Sequence, residues 1–180
     1  WRACVDGLRP HSVGLWQGLS ESEQRRFLRH LRPWWDVHRH RIAPRVAARI
    51  EAMRASGKLE IAAARIARVD EKAVTLARRG GGELRRRFEA VINCTGPEGS
   101  IGRIEDPLIR NLLASGRARP DRLGLGFEVD SDSRLAGNGP SPALYALGPL
   151  TKGVFWEMVA VPDIRGQALR VAEGVARLRP

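Results

Sequence analysis

The sequence predicts an α/β chain that reads as α+β in isolation: a helical segment over residues 1–57, then a β-meander and a terminal strand–helix pair over 58–180. Three observations carry that reading. Apolar residues recur at helical spacing through the first third. Between 58 and 94, short apolar runs are separated by tight-turn residues. Near the end, the apolar run Leu144-Tyr145-Ala146-Leu147 stops at Gly148-Pro149, and a helical pattern resumes at Pro162.

In the first segment, Pro10 suits the first turn of a short helix carrying Val13, Leu15 and Trp16. Ser20-Glu21-Ser22-Glu23 matches the S-x-x-E capping box, with Ser20 as N-cap. Phe27, Leu28, Leu31, Trp34 and Trp35 follow as one apolar stripe, so both tryptophans are expected in the core. Pro33 lacks the N–H its turn would use, which predicts a kink or restart. Pro44 opens another helix, with Val46, Ile50 and Met53 on one face and Gly57 as its stop.

The pattern then turns extended. Leu59 to Val69 is the first predicted strand, Ala73–Ala77 the second, and Glu83 to Cys94 the third. Asp70-Glu71-Lys72 and Gly80-Gly81-Gly82 supply the turns, so the three form an antiparallel meander. A short helix is predicted over 107–115, closed by Gly116. Residues 117–142 read as a loop with brief strands at Gly126–Val129 and Arg134–Leu135. A last helix begins near Pro162-Asp163, with Ile164, Ala168, Val171 and Val175 inward.

Composition bounds the function. The chain of 180 residues is 43% hydrophobic and 28% charged, too apolar for a disordered tail. No run reaches the roughly 18–20 apolar residues of a membrane helix, and the start lacks signal-peptide character. Cys4 and Cys94 make no disulfide framework, so a cytoplasmic setting is expected. Trp1 in place of Met predicts a piece of a longer protein. The net charge of +11 rests on 28 Arg and 3 Lys. That skew favours solvated basic faces over nucleic-acid contact, which would mix Lys with Arg and add base-reading polar residues. The alternative it leaves is a basic helical module binding nucleic acid through residues 21–54.

Two strand ends could carry chemistry. Ala90 to Cys94 reads as a buried strand ending in Thr95-Gly96-Pro97, where a bare backbone admits a ligand closely. Leu144–Leu147 repeats the device at Gly148-Pro149. The helix start at Pro162-Asp163 would add unpaired N–H groups and a positive dipole end. His38-Arg39-His40 lacks the further ligands a metal site needs. Cys94 is expected buried and inert at its strand end. Neither a P-loop nor a G-x-S-x-G elbow is present.

A strand ending x-T-G, then a strand ending A-x-G before a helix, resembles the C-terminal half of two-dinucleotide-fold flavoproteins such as flavin-containing monooxygenases and thioredoxin reductases. The chain is more closely similar to the C-terminal region of the bacterial FAD/NAD(P)-binding protein family. The residues behind this are Val5-Asp6-Gly7-Leu8-Arg9-Pro10, Arg32-Pro33-Trp34-Trp35-Asp36-Val37-His38-Arg39-His40-Arg41, Ile92 to Glu98, Leu147-Gly148-Pro149-Leu150-Thr151, Phe155-Trp156-Glu157 and Val161-Pro162-Asp163-Ile164-Arg165.

The resemblance implies a partial Rossmann-like fold for FAD, and for NAD(P)H in some members, with its first βαβ unit upstream as intramolecular partner. It implies that Thr95, Gly96 and Pro97 pass near the cofactor and that Gly148 and Pro149 stand at the second strand end. Trp156, Pro162, Asp163 and Ile164 would line the flavin edge, with Glu157 a candidate proton handler. Pro149 replaces the Asp that holds the ribityl chain in many relatives. Gly124-Leu125-Gly126-Phe127-Glu128-Val129 is not the G-x-G-x-x-G phosphate fingerprint. The 180 residues alone are therefore expected to bind neither FAD nor NAD(P) and to be inactive; completed, they would form an oxidoreductase acting on a small molecule.

Overall fold

The computed structural model describes residues 1–139 and 143–177 and mixes helices with a three-stranded antiparallel sheet. The chain divides into two compact units, 1–40 with 97–180, and 41–96. That partition differs from the sequence boundary at residue 57, because the helix after Pro44 belongs with the sheet rather than with the helices before it.

In the larger unit, α1 (Arg2–Leu8) leads through a 3₁₀ turn at Arg9–His11 into α2 (Ser12–Gly18). α3 (Glu21–His30) opens on the expected capping box: Ser20 Oγ accepts from the Glu23 amide, and the Glu23 carboxylate accepts from the Ser20 amide at 2.8 Å. The chain restarts at Leu31 as α4 (Arg32–Arg39), with Pro33 in the first turn, where its missing N–H costs nothing. Of the two adjacent tryptophans, Trp35 is half-buried, but Trp34 is 67% exposed, against expectation. Adjacent helical residues point about 100° apart, so one helix face cannot bury both.

The core of this unit gathers Ile101, Ala118, Phe127, Val129, Leu135, Ala146, Phe155 and Met158, with Ile109, Leu112 and Leu113 packed against it. α6 (Pro107–Ala114) is capped by Asp106, whose Oδ1 accepts from the Leu108 and Ile109 amides. The brief strands expected after it are single bridges, Pro120 with Phe127, Val129 with Leu135, and Arg134 with Tyr145. Leu144–Leu147 is thus no regular strand; it makes one bridge and runs into a 3₁₀ turn at Gly148–Thr151. Pro140 to Pro142, the far end of the predicted loop, lie outside the described residues. α7 (Val161–Arg177) closes the unit.

In the smaller unit, α5 (Pro44–Ala55) ends before Gly57, whose φ of +70° suits a residue without Cβ. The sheet runs in the order β1 (Ala64–Val69), β2 (Ala73–Arg78), β3 (Glu83–Arg87). The first strand is shorter than the predicted 59–69 span. The third is cut at Arg87, and residues 88–94 carry no regular structure. The cause is pairing: Arg87 faces Ala73, the first residue of β2, and beyond it the Phe88 amide bonds to the Lys72 carbonyl at 3.3 Å. Without a further neighbour, an apolar run has no ladder to join.

Candidate functional site

The predicted site residues fall in different surroundings. Ala90 to Cys94 is not the buried strand expected: Ile92 is 83% exposed, and Cys94 is exposed too. Thr95 closes a local turn, its amide and hydroxyl both donating to Asn93 Oδ1 at 3.0 and 2.8 Å. Gly96 has φ +84°, and the boundary between the compact units falls between Gly96 and Pro97. The motif Thr95-Gly96-Pro97 is therefore divided between the two units.

Gly148 and the start of α7 do come together. Gly148 has φ +67°, and a Cβ placed on it would lie 3.4 Å from Ile164 Cδ1. Its amide donates to Gln167 Oε1 at 2.8 Å. Gln167, wholly buried in the second turn of the helix, uses its Nε2 to donate to Ser133 Oγ and Thr151 Oγ1 at 3.0 and 3.1 Å. Thr151 Oγ1 in turn donates to the Gly148 carbonyl at 2.9 Å. This closed network pins the Gly148-Pro149 turn to α7. Leu147, Val159 and Val161, next to these residues in sequence, are exposed apolar side chains.

The helix start offers fewer donors than expected. Pro162 has no N–H, and the amides of Asp163 and Ile164 both donate to the Ala160 carbonyl at 3.0 Å. The Asp163 carboxylate pairs with Arg9 at 3.2 Å. An anion would therefore compete with a carboxylate already lying at the positive end of the helix.

Trp156 and Glu157 lie inside the unit, 5% and 7% exposed. Trp156 stacks on Trp16 at 4.7 Å between ring centroids, and Phe27 meets it edge-on at 5.3 Å. Both faces and edges of these rings thus find the offset and T-shaped arrangements their quadrupoles favour. The Trp16 indole N–H donates to the Gly153 carbonyl at 2.8 Å, and Gln24 Nε2 donates to the Trp16 carbonyl at 2.8 Å. Trp16, Leu15, Leu19, Phe27, Trp35, Trp156 and Ser12 line an apolar cleft of about 160 Å³.

Glu157 is bound on every side. Arg39 donates to its Oε2 from Nε and Nη2 at 3.0 and 2.7 Å, and the Trp35 indole donates to Oε1 at 2.8 Å. Such a carboxylate anchors α4 to the 150–160 segment. Lys152 Nζ lies 4.9 Å from the Trp156 ring centroid. Burial and the Arg32 charge push its ammonium below the ordinary lysine value.

Sequence reasoning missed Gln167, Thr151, Ser133 and Lys152. A glutamine within a helical pattern carries no signal of burial. Arg39 and Glu157 stood in segments quoted for the resemblance, but nothing in the sequence pairs them. Among the described residues no group of three or more metal-ligating side chains converges. No family model, curated protein or solved structure matches this chain.

Proposed function

We propose that this chain is the C-terminal part of an FAD-dependent oxidoreductase, able in its complete form to use NAD(P)H. The observation that carries the reading is the left-handed Gly148 held on Ile164 of α7 by Gln167, with Leu147 and Val161 exposed beside it. A rigid glycine turn at a helix start, flanked by apolar surface, is suited to wall off one side of a planar cofactor ring.

The fit to FAD is partial. The apolar surface suits an isoalloxazine ring, but the Gly148, Asp163 and Ile164 amides already have acceptors and the sequence holds no G-x-G-x-x-G phosphate fingerprint. Under this reading Trp156 and Glu157 brace the wall from inside. The apolar, unpaired run 88–94 is accounted for as a strand whose neighbours come from the upstream nucleotide-binding unit, with Thr95, Gly96 and Pro97 at its end. The flavin would supply the redox chemistry; Gly148, Pro149, Pro162 and Ile164 would position it and exclude water.

The test is to express the chain joined to the segment that precedes it in its own gene. Stoichiometric flavin absorption in the joined protein, absent from residues 1–180 alone, supports the proposal. Pro162→Trp, at an exposed position, should lower the bound flavin while leaving far-UV circular dichroism and thermal melting unchanged. A joined protein that is colourless, or one whose flavin content ignores Pro162→Trp, overturns the assignment.

A further inference from the structure

We propose that one face of the β1–β2–β3 sheet binds the phosphate backbone of a nucleic acid, through Arg65, Arg68, Arg85 and Arg87. Register places these four side chains together. Directly opposed residues share a face: Arg65 faces Ala77, Arg68 faces Thr75, Thr75 faces Arg85 and Ala73 faces Arg87. Strict alternation would send Arg65 and Arg68 to opposite faces. The bulge between Ile66 and Arg68 adds one residue to β1 and brings both arginines to the same side. It also brings Ile66 and Val69 together on the other side, opposite Leu76 and Val74. The bulge therefore sorts β1 into a cationic side and an apolar side. The four arginines stand on the two outer strands, roughly 10 Å apart across the sheet, and the middle strand between them carries the small side chains of Ala73, Thr75 and Ala77.

Charge complementarity gives the partner. Residues 41–96 hold thirteen Lys and Arg against six Asp and Glu, so this unit carries most of the chain's net charge of +11. On the arginine face Asp70 is shared by Arg68 at 3.1 Å and Arg85 at 3.0 Å, one carboxylate between two guanidiniums. The other carboxylate there, Glu83, stands opposite Ala77, in the row of Arg65. Among the described residues the Arg65 and Arg87 guanidiniums have no ion pair and no hydrogen bond, and both residues are exposed. Thr75, in the row between Arg68 and Arg85, is 7% exposed and its hydroxyl has no partner, a donor left over among the cations. A polymer with one negative charge on every residue complements such a face, and guanidinium forks match phosphate oxygens in pairs. Asn93 is the one amide side chain in 41–96, and its oxygen already accepts from Thr95. With no free amide to read base edges, recognition is of the backbone and independent of base sequence. The inference rests on residues 65–87 and stands apart from the flavin reading.

Fluorescence anisotropy of the 180-residue chain with a labelled oligothymidylate, alone and annealed to its complement, tests it between about 50 and 200 mM salt. Affinity should fall steeply with salt for both forms. Arg65→Gln with Arg87→Gln removes two phosphate contacts, so the slope of log affinity against log salt should shrink by about 1.4 on the single strand and about 1.8 on the duplex. Arg65→Lys with Arg87→Lys keeps both charges and should keep the slope. Arg26→Gln with Arg29→Gln removes the same charge from α3 and should leave the slope as it is. Far-UV circular dichroism melts of each variant check that it remains folded. Slopes that ignore the glutamine pair in the sheet overturn the proposal. So does an equal loss from the α3 pair, which would mean that net charge alone binds. Displacement by polyglutamate as readily as by unlabelled oligothymidylate would give the face to an acidic protein and overturn it too.

Discussion

Replacing Glu157 by Gln removes one negative charge and leaves the side-chain shape unchanged. The carboxylate accepts three hydrogen bonds at 2.7–3.0 Å, two from Arg39 and one from the Trp35 indole. The Arg39 and Glu157 side chains are 11% and 8% exposed, so water cannot replace the missing partner. An amide has only one acceptor oxygen. Whichever way it turns, its NH2 meets either the guanidinium or the indole N–H, donor against donor. Breaking a buried pair from one side costs about 3–5 kcal/mol; the lower figure, about 3 kcal/mol, suits a pair with one edge near solvent. At a urea slope of about 2 kcal/mol per molar, the midpoint should fall by about 1.5 M. All five tryptophans, Trp1, Trp16, Trp34, Trp35 and Trp156, lie in the larger unit, so intrinsic fluorescence follows that unit alone. The double replacement Arg39→Met with Glu157→Leu should recover most of the loss, because no charge remains buried without its partner. If Glu157→Gln moved stability by less than about 0.5 kcal/mol, the pair would be behaving as a surface one and the reasoning would fail.

Three other perturbations follow from the same geometry. Ser20→Ala removes the hydroxyl half of the α3 capping box, the acceptor of the Glu23 amide, and should cost about 1 kcal/mol in the same fluorescence melt. Gly126→Ala places a methyl on the Leu150 carbonyl, which accepts the Phe127 amide at 2.8 Å; a loss of about 2–3 kcal/mol is expected, and a neutral result would mean that these two segments do not pack so closely. Burial raises the Asp121 carboxyl above the ordinary carboxylate value, against the lowering effect of amide bonds from Leu123 and Gly126. The folded chain therefore holds that proton more tightly than the unfolded chain. The resulting stability is full below about pH 4 and is lost as pH rises through the folded value. The stability of the parent minus that of Asp121→Asn should fall with pH over that window; a difference that rises would mean the amide bonds outweigh burial.

Local chemistry was legible where a residue acts on its own neighbours. The capping box at Ser20, the restart around Pro33, the Gly57 stop, and the turns at 70–72 and 80–82 are all short-range effects of side-chain oxygen, missing N–H or missing Cβ. What failed was long-range. The run Phe88 to Cys94 has strand composition, but composition does not reveal whether a neighbouring strand has backbone left to pair; β2 starts at Ala73, and β3 stops opposite it. Trp34 and Trp35 are indistinguishable in a periodic pattern until the helix phase is fixed. Arg39 and Glu157, 118 residues apart, meet only because α4 and the 150–160 segment share one unit. The Gly148 turn was marked as important by its glycine and proline, yet the side chain that holds it, Gln167, lies 19 residues further on with no motif to announce it.

The most direct measurement of the central proposal is the visible absorption of the chain expressed together with its upstream coding segment, after removal of unbound small molecules. A flavin spectrum at one equivalent per chain, diminished by Pro162→Trp, is the expected result. A folded, colourless joined protein would contradict it.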